Sequence, residues 1–329
     1  EAPRYTITGS TGSAGDTLYL FGLDSRYEKI EKIACDKQGA FTHTVKTDTI
    51  APLGLVMPSG ELITLFAEPN VEAQLLQDSI KGDRWIVKGG KEQALYDSIA
   101  NVLAKAESNS QKQVHLEEFT RANPLSNVNV EIIRRFMVDI PHPNNSFILS
   151  RIRNLGGTLQ DHEFFTALQE RLDNKNSNII YKLFPSFNYT TAEGKNISQK
   201  DYKGKMLIVN FWAAWDSLSR AQMKEISKQY ATSDTSKMTM LNISLDYDTA
   251  LWRKSIAEDS IAGDNVCDGT VWNNETAKRF NIPGLTFTLV ASPYMRIDLF
   301  ELSPDRFATV TDSLANKYFK EKRNSQKRK

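Results

Sequence analysis

Cysteine is scarce in this chain. The 329 residues include two cysteines, Cys35 and Cys267, which are far apart in the sequence. Neither cysteine belongs to a CxxC pair or to a cluster of cysteine and histidine with the spacing of a zinc site. This scarcity excludes a disulfide-rich scaffold, and we expect no metal and no cofactor.

An excess of charge of one sign and a long apolar run are also absent. Lys and Arg number 41 and Asp and Glu number 40, so no broad positive field would hold a phosphate backbone, and we expect no nucleic acid partner. The strongest apolar run, Met206 to Trp215, contains Asn210 and is far shorter than the roughly 20 residues of a membrane helix. We therefore predict no transmembrane helix. Because the sequence begins at Glu1 without Met, we expect that a signal segment has been removed.

The spacing of apolar residues changes along the sequence and divides the chain into predicted domains. Short alternating runs separated by turn residues predict an N-terminal antiparallel, β-sandwich-like domain over residues 1–90. Apolar residues at helical steps, such as Leu95, Ile99 and Leu103, predict a helical connector over residues 91–178. Alternating strands and helices predict an α/β domain over residues 179–320. Residues 321–329 form a basic tail that we expect to be solvated.

One segment of the predicted connector is similar to a metalloprotease motif. His162 and Glu163 stand in the order of HExxH, but Thr166 occupies the place of the second histidine. The motif needs two histidines four residues apart on one helix face to hold the metal. We therefore expect no metal at this segment.

The α/β part carries a more specific motif. Val209 to Trp215, with the sequence VNFWAAW, precedes a predicted helix that starts near Ser217. This stretch resembles the active-site segment of thioredoxin-like proteins, in the branch of the TlpA-like reductases and the alkyl hydroperoxide reductase/thiol-specific antioxidant (AhpC/TSA) superfamily. The resemblance implies a thioredoxin-like fold from about residue 184 to 320. The first 90 residues look like a β domain of unknown function from cell-envelope proteins of Bacteroidetes. This resemblance implies a location in the cell envelope, either in the periplasm or lipid-anchored at the outer-membrane surface.

The resemblance breaks at the reactive residues. In this family a CxxC dithiol follows the second tryptophan, but here Trp215 is followed by Asp216, Ser217, Leu218 and Ser219. Disulfide exchange needs a thiolate and a second thiol, so the family's dithiol cycle is unavailable. We interpret Asp216 as the N-cap of the following helix. The alternative, a general base or a binding carboxylate, stays open.

Two further family positions differ. The family's cis-proline is replaced by Thr286 in the stretch Gly284 to Phe287, and we expect an ordinary trans bond there because a non-proline cis bond is costly. The loop after the buried strand also lacks the cysteine that a peroxiredoxin needs. Cys267 is the lone thiol of this domain, and the adjacent Asp268 would raise its pKa.

These features favour a redox-inactive, thioredoxin-like protein of the cell envelope that binds another protein or a peptide. The candidate contact surface comprises Trp212, Trp215, Asp216 and Thr286. The favoured alternative is that Trp212 is a core residue and that Trp215 packs beside the helix cap. Two alternatives remain, a thiol-disulfide oxidoreductase that uses Cys267 and a structural partner of an active thioredoxin-like protein. The oligomeric state stays open.

Overall fold

The computed structural model describes residues 2–78, 84–140, 143–172, 180–282 and 284–326. The chain divides into two compact units, Glu1–Ala167 and Leu168–Lys329. Most of the predicted helical connector thus shares the first unit with the predicted β domain, and the predicted boundary at residue 178 lies outside the described residues. None of the helices in the described ranges combines the length and the apolar character that crossing a bilayer requires.

The first unit begins with eight strands in two sheets. The sheets have the orders β4-β1-β7-β8 and β3-β2-β5-β6, and their inner faces contribute to one apolar cluster, which confirms the sandwich. One pairing differs from the prediction, since β1 and β7 are parallel. The strands are β1 (Arg4–Ser10), β2 (Thr17–Gly22), β3 (Ile30–Ala34), β4 (Ala40–Lys46), β5 (Ala51–Val56), β6 (Leu62–Ala67), β7 (Val71–Gln77) and β8 (Trp85–Lys88).

Helices follow the sandwich in the same unit. The first helix is joined to β6 by Gln93, a buried side chain that accepts the Phe66 amide at 3.0 Å and donates to the Thr64 carbonyl at 3.2 Å. A π-helix, Arg134–Val138, continues the third helix directly. The predicted break at Pro141 and His142 lies outside the described residues. The helices are α1 (Lys91–Lys105), α2 (Asn109–Ala122), α3 (Val128–Ile133), α4 (Asn145–Arg153) and α5 (Glu163–Leu172), the last of which ends in the second unit.

The second unit is built on a five-stranded mixed sheet, which confirms the predicted thioredoxin-like α/β fold. Its order is β13-β12-β11-β14-β15, with β11 parallel to β12 and antiparallel to β14. A two-stranded hairpin, β9 with β10, precedes it. The elements are β9 (Asn188–Thr190), β10 (Asn196–Ser198), β11 (Met206–Trp212), α6 (Ser217–Ala231), β12 (Met238–Ser244), α7 (Thr249–Asp259), β13 (Asp264–Cys267), α8 (Glu275–Phe280), β14 (Phe287–Ala291), β15 (Ile297–Phe300) and α9 (Phe307–Gln326).

A row of buried amides crosses this sheet. Asn210 accepts the Thr288 hydroxyl at 2.6 Å and donates to Asn242 at 2.8 Å. Asn242 donates in turn to Asn265 at 3.1 Å. Buried polar groups are costly unless they are paired, so this row favours the register that aligns the four side chains on four adjacent strands.

The antiparallel pairing of β11 with β14 also determines where loops meet. Phe211 pairs with Phe287, so the residues that follow β11 lie beside those that precede β14. This brings the segment Ala213 to Ser219 next to Thr286, at the same end of the sheet.

Candidate functional site

The candidate site begins at the first turn of α6. Asp216 has an extended backbone, and its Oδ1 accepts the Ser219 amide at 2.8 Å. This is the N-cap arrangement, so the predicted role of Asp216 is confirmed. Ser217 and Leu218 follow on the surface of the first turn.

The hydroxyl of Ser219 is already engaged. The residue is fully buried, and its Oγ accepts the Ala213 amide at 3.2 Å and lies 2.9 Å from the Thr286 Oγ1. The Thr286 hydroxyl also donates to the Ser219 carbonyl at 3.4 Å. The two hydroxyl side chains therefore join α6 to the loop before β14.

The conformation of that loop corrects one prediction. The Leu285–Thr286 peptide bond is cis, so the expectation of a trans bond is wrong. Thr286 is held in this position from α6, because its amide donates to Gln222 Oε1 at 3.2 Å and its hydroxyl contacts Ser219. These tertiary contacts are not visible in the local sequence.

The two tryptophans occupy different environments. Trp212 is 0% exposed and belongs to the apolar core of the unit, so its assignment to a contact surface is wrong and the core interpretation holds. Trp215 is also largely buried, and its Nε1 donates to the Leu245 carbonyl at 3.3 Å. The exposed part of the site is thus formed by Ser217 and Leu218, beside the partly buried Asp216 and Thr286.

A carboxylate that the sequence analysis missed supports the loop after β11. Asp246 is fully buried, and its two oxygens accept the Ala214 amide at 3.0 and 2.8 Å. Its Oδ2 also accepts the Ser244 hydroxyl at 2.6 Å. Burial raises the pKa of Asp246 to about 6, although these hydrogen bonds act in the opposite direction. The only signal in the sequence was an acidic residue directly after the predicted strand Met238 to Leu245.

The single thiol of the second unit contacts the same residue. The Cys267 Sγ donates to the Asp246 carbonyl at 3.1 Å. Burial, and then the nearby Asp246 carboxylate, raises the pKa of Cys267 to about 12. A thiol with so high a pKa carries almost no thiolate at neutral pH and is a poor nucleophile.

The residues of the HExxH-like segment are structural. His162 Nδ1 accepts the Phe164 amide at 3.2 Å, and its Nε2 lies 3.2 Å from Asp24 Oδ2. Glu163 accepts the Ser25 amide at 3.0 Å. Within the ranges that the structure describes, no three histidine, cysteine or acidic side chains come together in a way that could hold a metal ion.

The N-cap makes a first testable prediction. Asp216→Ala should lower the free energy of unfolding of the second unit by about 0.5–2 kcal/mol, because the Ser219 amide loses its acceptor. Chemical denaturation followed by tryptophan fluorescence measures this change. Ser217→Ala, one residue further on the exposed turn, is the matched control and should change stability little. Equal stability of both variants and the wild type would show that the cap contributes nothing.

The buried Asp246 predicts a pH dependence. A carboxyl whose pKa rises from 3.8 to about 6 on folding binds more protons in the folded state between these two values. Its contribution to stability is therefore full below pH 4 and is lost as the pH rises through 6, a decrease of about 3 kcal/mol. Other carboxyls also titrate in this range. The quantity to compare is therefore the difference in the free energy of unfolding between wild type and Asp246→Asn.

We expect the difference in the free energy of unfolding between wild type and Asp246→Asn to change between pH 4 and pH 7 and to become constant above pH 7. Urea denaturation at a series of pH values measures it. Asp248→Asn is the control, because asparagine can still cap α7 and the Asp246 carboxyl remains. A difference that does not vary with pH would contradict the burial of an ionisable group at position 246.

Comparison with known proteins agrees with this geometry. The AhpC/TSA family model matches residues 180–289. The thiol-disulfide oxidoreductase ResA of Bacillus cereus is 35% identical over 66 residues, which are 20% of this chain and 38% of ResA, and that of Bacillus anthracis is 36% identical over the same length. The chain thus spans about 38% of the length of the curated relatives that it matches.

Solved structures with similarity to the chain include thiol-disulfide oxidoreductases. The C-terminal domain of a putative one from Bacteroides thetaiotaomicron is 30% identical, with a TM-score of 0.38, and covers 42% of this chain and 97% of that domain. One from Bacteroides fragilis is also 30% identical, with a TM-score of 0.37, and covers 40% of this chain and 99% of that one. Together with the fold, the family match shows that residues 180–289 are a thioredoxin-like domain of the AhpC/TSA family.

Proposed function

We propose that the second unit is a redox-inactive thioredoxin-like domain that binds an extended segment of a protein partner. The observation that carries the proposal is the state of the two dithiol positions. Asp216 and Ser219 occupy them, and both side chains already make hydrogen bonds within the domain. Neither position carries a sulfur atom.

The second unit lacks the residues that disulfide exchange requires. Disulfide exchange proceeds through attack by a thiolate and resolution by a second thiol. Neither an aspartate nor a serine supplies either step, and the Cys267 thiol donates to a backbone carbonyl and has a raised pKa. A dithiol cycle therefore has no residues to carry it in this unit.

The residues around the start of α6 and the loop before β14 favour binding of a peptide. Leu285 is only 5% exposed, and among the described residues no hydrogen bond uses its amide or its carbonyl. Leu218, on the first turn of α6, and Tyr247, on the loop after β12, are 36% and 37% exposed. Unpaired backbone groups beside exposed apolar side chains suit the addition of an extended peptide, whose main chain supplies hydrogen bonds and whose side chains meet the apolar groups.

A second function has some support. The family match and the relatives named thiol-disulfide oxidoreductases favour an enzyme, and Cys267 would be its thiol. The raised pKa of Cys267 and its contact with Asp246 disfavour this alternative. A location in the cell envelope is also part of the proposal, and it rests on the resemblance of the two parts of the chain to envelope proteins.

Rebuilding the dithiol tests whether the site has kept its family geometry. Asp216→Cys with Ser219→Cys, in a Cys267→Ser background, should form a disulfide under oxidising conditions, because residues three apart in a first helical turn lie on one face. Mass spectrometry after thiol alkylation detects the bond. Asp216→Cys with Leu218→Cys is the matched control and should stay reduced. Free thiols at both introduced positions of the first variant would mean that the start of α6 differs from the family geometry.

Crosslinking tests the proposed binding edge. A photoactivatable amino acid at Leu218 should give a defined partner adduct in cells, whereas the same amino acid at the exposed Lys254 on α7 should not. Excess unlabelled wild type should compete the adduct away, and Thr286→Arg, which adds a charged side chain at the edge, should compete poorly. Identical adducts from both positions, or equal competition by both proteins, would contradict the proposal.

A further inference from the structure

The end of the second unit's sheet opposite the candidate site carries an unusual surface. It is formed by the turn between β14 and β15. This turn lies beside the segment that precedes β11, because the Gly204 amide donates a hydrogen bond to the Pro293 carbonyl at 3.0 Å. The segment 181–184 lies along the other side of this turn, since Leu183 forms a bridge with Arg296 and the Phe184 amide donates to the Met295 carbonyl at 2.7 Å. We name this surface the hairpin end.

Large apolar side chains are exposed at the hairpin end. Tyr294 is 74% exposed, Tyr181 is 68% exposed and Leu183 is 62% exposed. Their backbones lie close together. Arg296 is bridged to Leu183 and donates from its Nη1 to the Tyr181 carbonyl at 2.8 Å, and Met295, the neighbour of Tyr294, accepts the Phe184 amide. Single exposed apolar residues need no explanation, but a group of them indicates an interaction surface.

Basic side chains surround this apolar group. Lys203 and Lys205 flank Gly204, which contacts the turn, and Lys205 donates to the Thr235 carbonyl at 2.8 Å. Exposed basic residues at the hairpin end are Lys182, Lys203, Lys205 and Arg296. This charge would attract an anionic surface.

The acidic residues on the neighbouring elements offset this charge only in part. Asp234 forms an ion pair with Lys237 at 2.9 Å. Asp201, on the turn before β11, accepts the Ser198 amide and hydroxyl at 2.7 and 3.0 Å. Asp298 lies on β15, and its carboxyl is partly buried. The hairpin end therefore combines exposed tyrosines and a leucine with an excess of positive charge.

We propose that the hairpin end binds the surface of an anionic lipid bilayer. Tyrosines favour the level of the lipid headgroups, and lysine and arginine beside them interact with anionic lipids. The excess of positive charge at the hairpin end is complementary to an anionic lipid surface. Since β11 has seven residues and each adds about 3.3 Å, the candidate site would face water about 20 Å from the membrane surface.

Sedimentation of the full chain with lipid vesicles tests the proposal. The protein should bind vesicles that contain phosphatidylglycerol, bind pure phosphatidylcholine poorly and dissociate at high salt. Lys203→Gln with Lys205→Gln should lower the partition coefficient about 30-fold. Tyr181→Asn with Tyr294→Ser should also lower it, and asparagine is chosen because Tyr181 has a positive φ of 67°. Thermal denaturation checks that each variant is folded.

Two controls keep the result specific. Lys224→Gln with Lys228→Gln removes the same charge from the exposed face of α6 and should leave binding unchanged. Neutral substitutions of Lys327, Arg328 and Lys329 test the basic tail. The proposal is overturned if the tail variant alone abolishes binding, if both lysine pairs have equal effects, or if the wild type ignores vesicles and instead self-associates through the tyrosines.

Discussion

The buried strand β11 is the constraint on which the second unit depends. All seven residues of β11 are buried, with β12 hydrogen-bonded on one side and β14 on the other. Its carboxyl end leads into the loop that Asp246 supports and into the capped start of α6. Its amino end leads from the lysines of the hairpin end. Because one rigid strand joins both regions, partner binding and membrane binding can occur at opposite ends of the same sheet.

The start of α6 is stabilised by side-chain hydrogen bonds at the two positions of the family's dithiol. Asp216 and Ser219 satisfy backbone amides of the helix start and of the preceding loop, and the Ser219 and Thr286 hydroxyls contact each other across the site. Hydrogen bonds of this kind stabilise the domain, because they pair polar groups of the helix start and of the preceding loop. The backbone at Leu285 is where the proposed extended partner would pair.

Local signals in the sequence predicted the elements that depend on local interactions. The apolar run predicted β11, and the period of α6 together with Asp216 predicted the start of that helix. The short strand β13 has little signal in the sequence because Asp264 and Asn265 are polar, and the buried pairing of Asn265 with Asn242 comes from the neighbouring strand. Strand β3 has a weak signal for a similar reason, since only Ile33 of its residues is buried.

The sequence was least informative at residues whose conformation or burial depends on contacts with other elements. The conformation before Thr286 depends on Gln222 and Ser219, which lie on another element. Asp246 has no local motif, and its importance arises from burial against the loop after β11. Trp212 was assigned to a surface because its family position is next to the active site, whereas the side chain points into the core.

A turnover measurement tests the central claim most directly. The full chain would be assayed for reduction of a protein disulfide with a dithiol donor, and for consumption of peroxide with the same donor, beside Cys267→Ser. We expect the rates with wild type and with Cys267→Ser to equal the rate without protein in both assays. Turnover above that background that disappears in Cys267→Ser would contradict it, because Cys267 would then be a working nucleophile and the domain an enzyme.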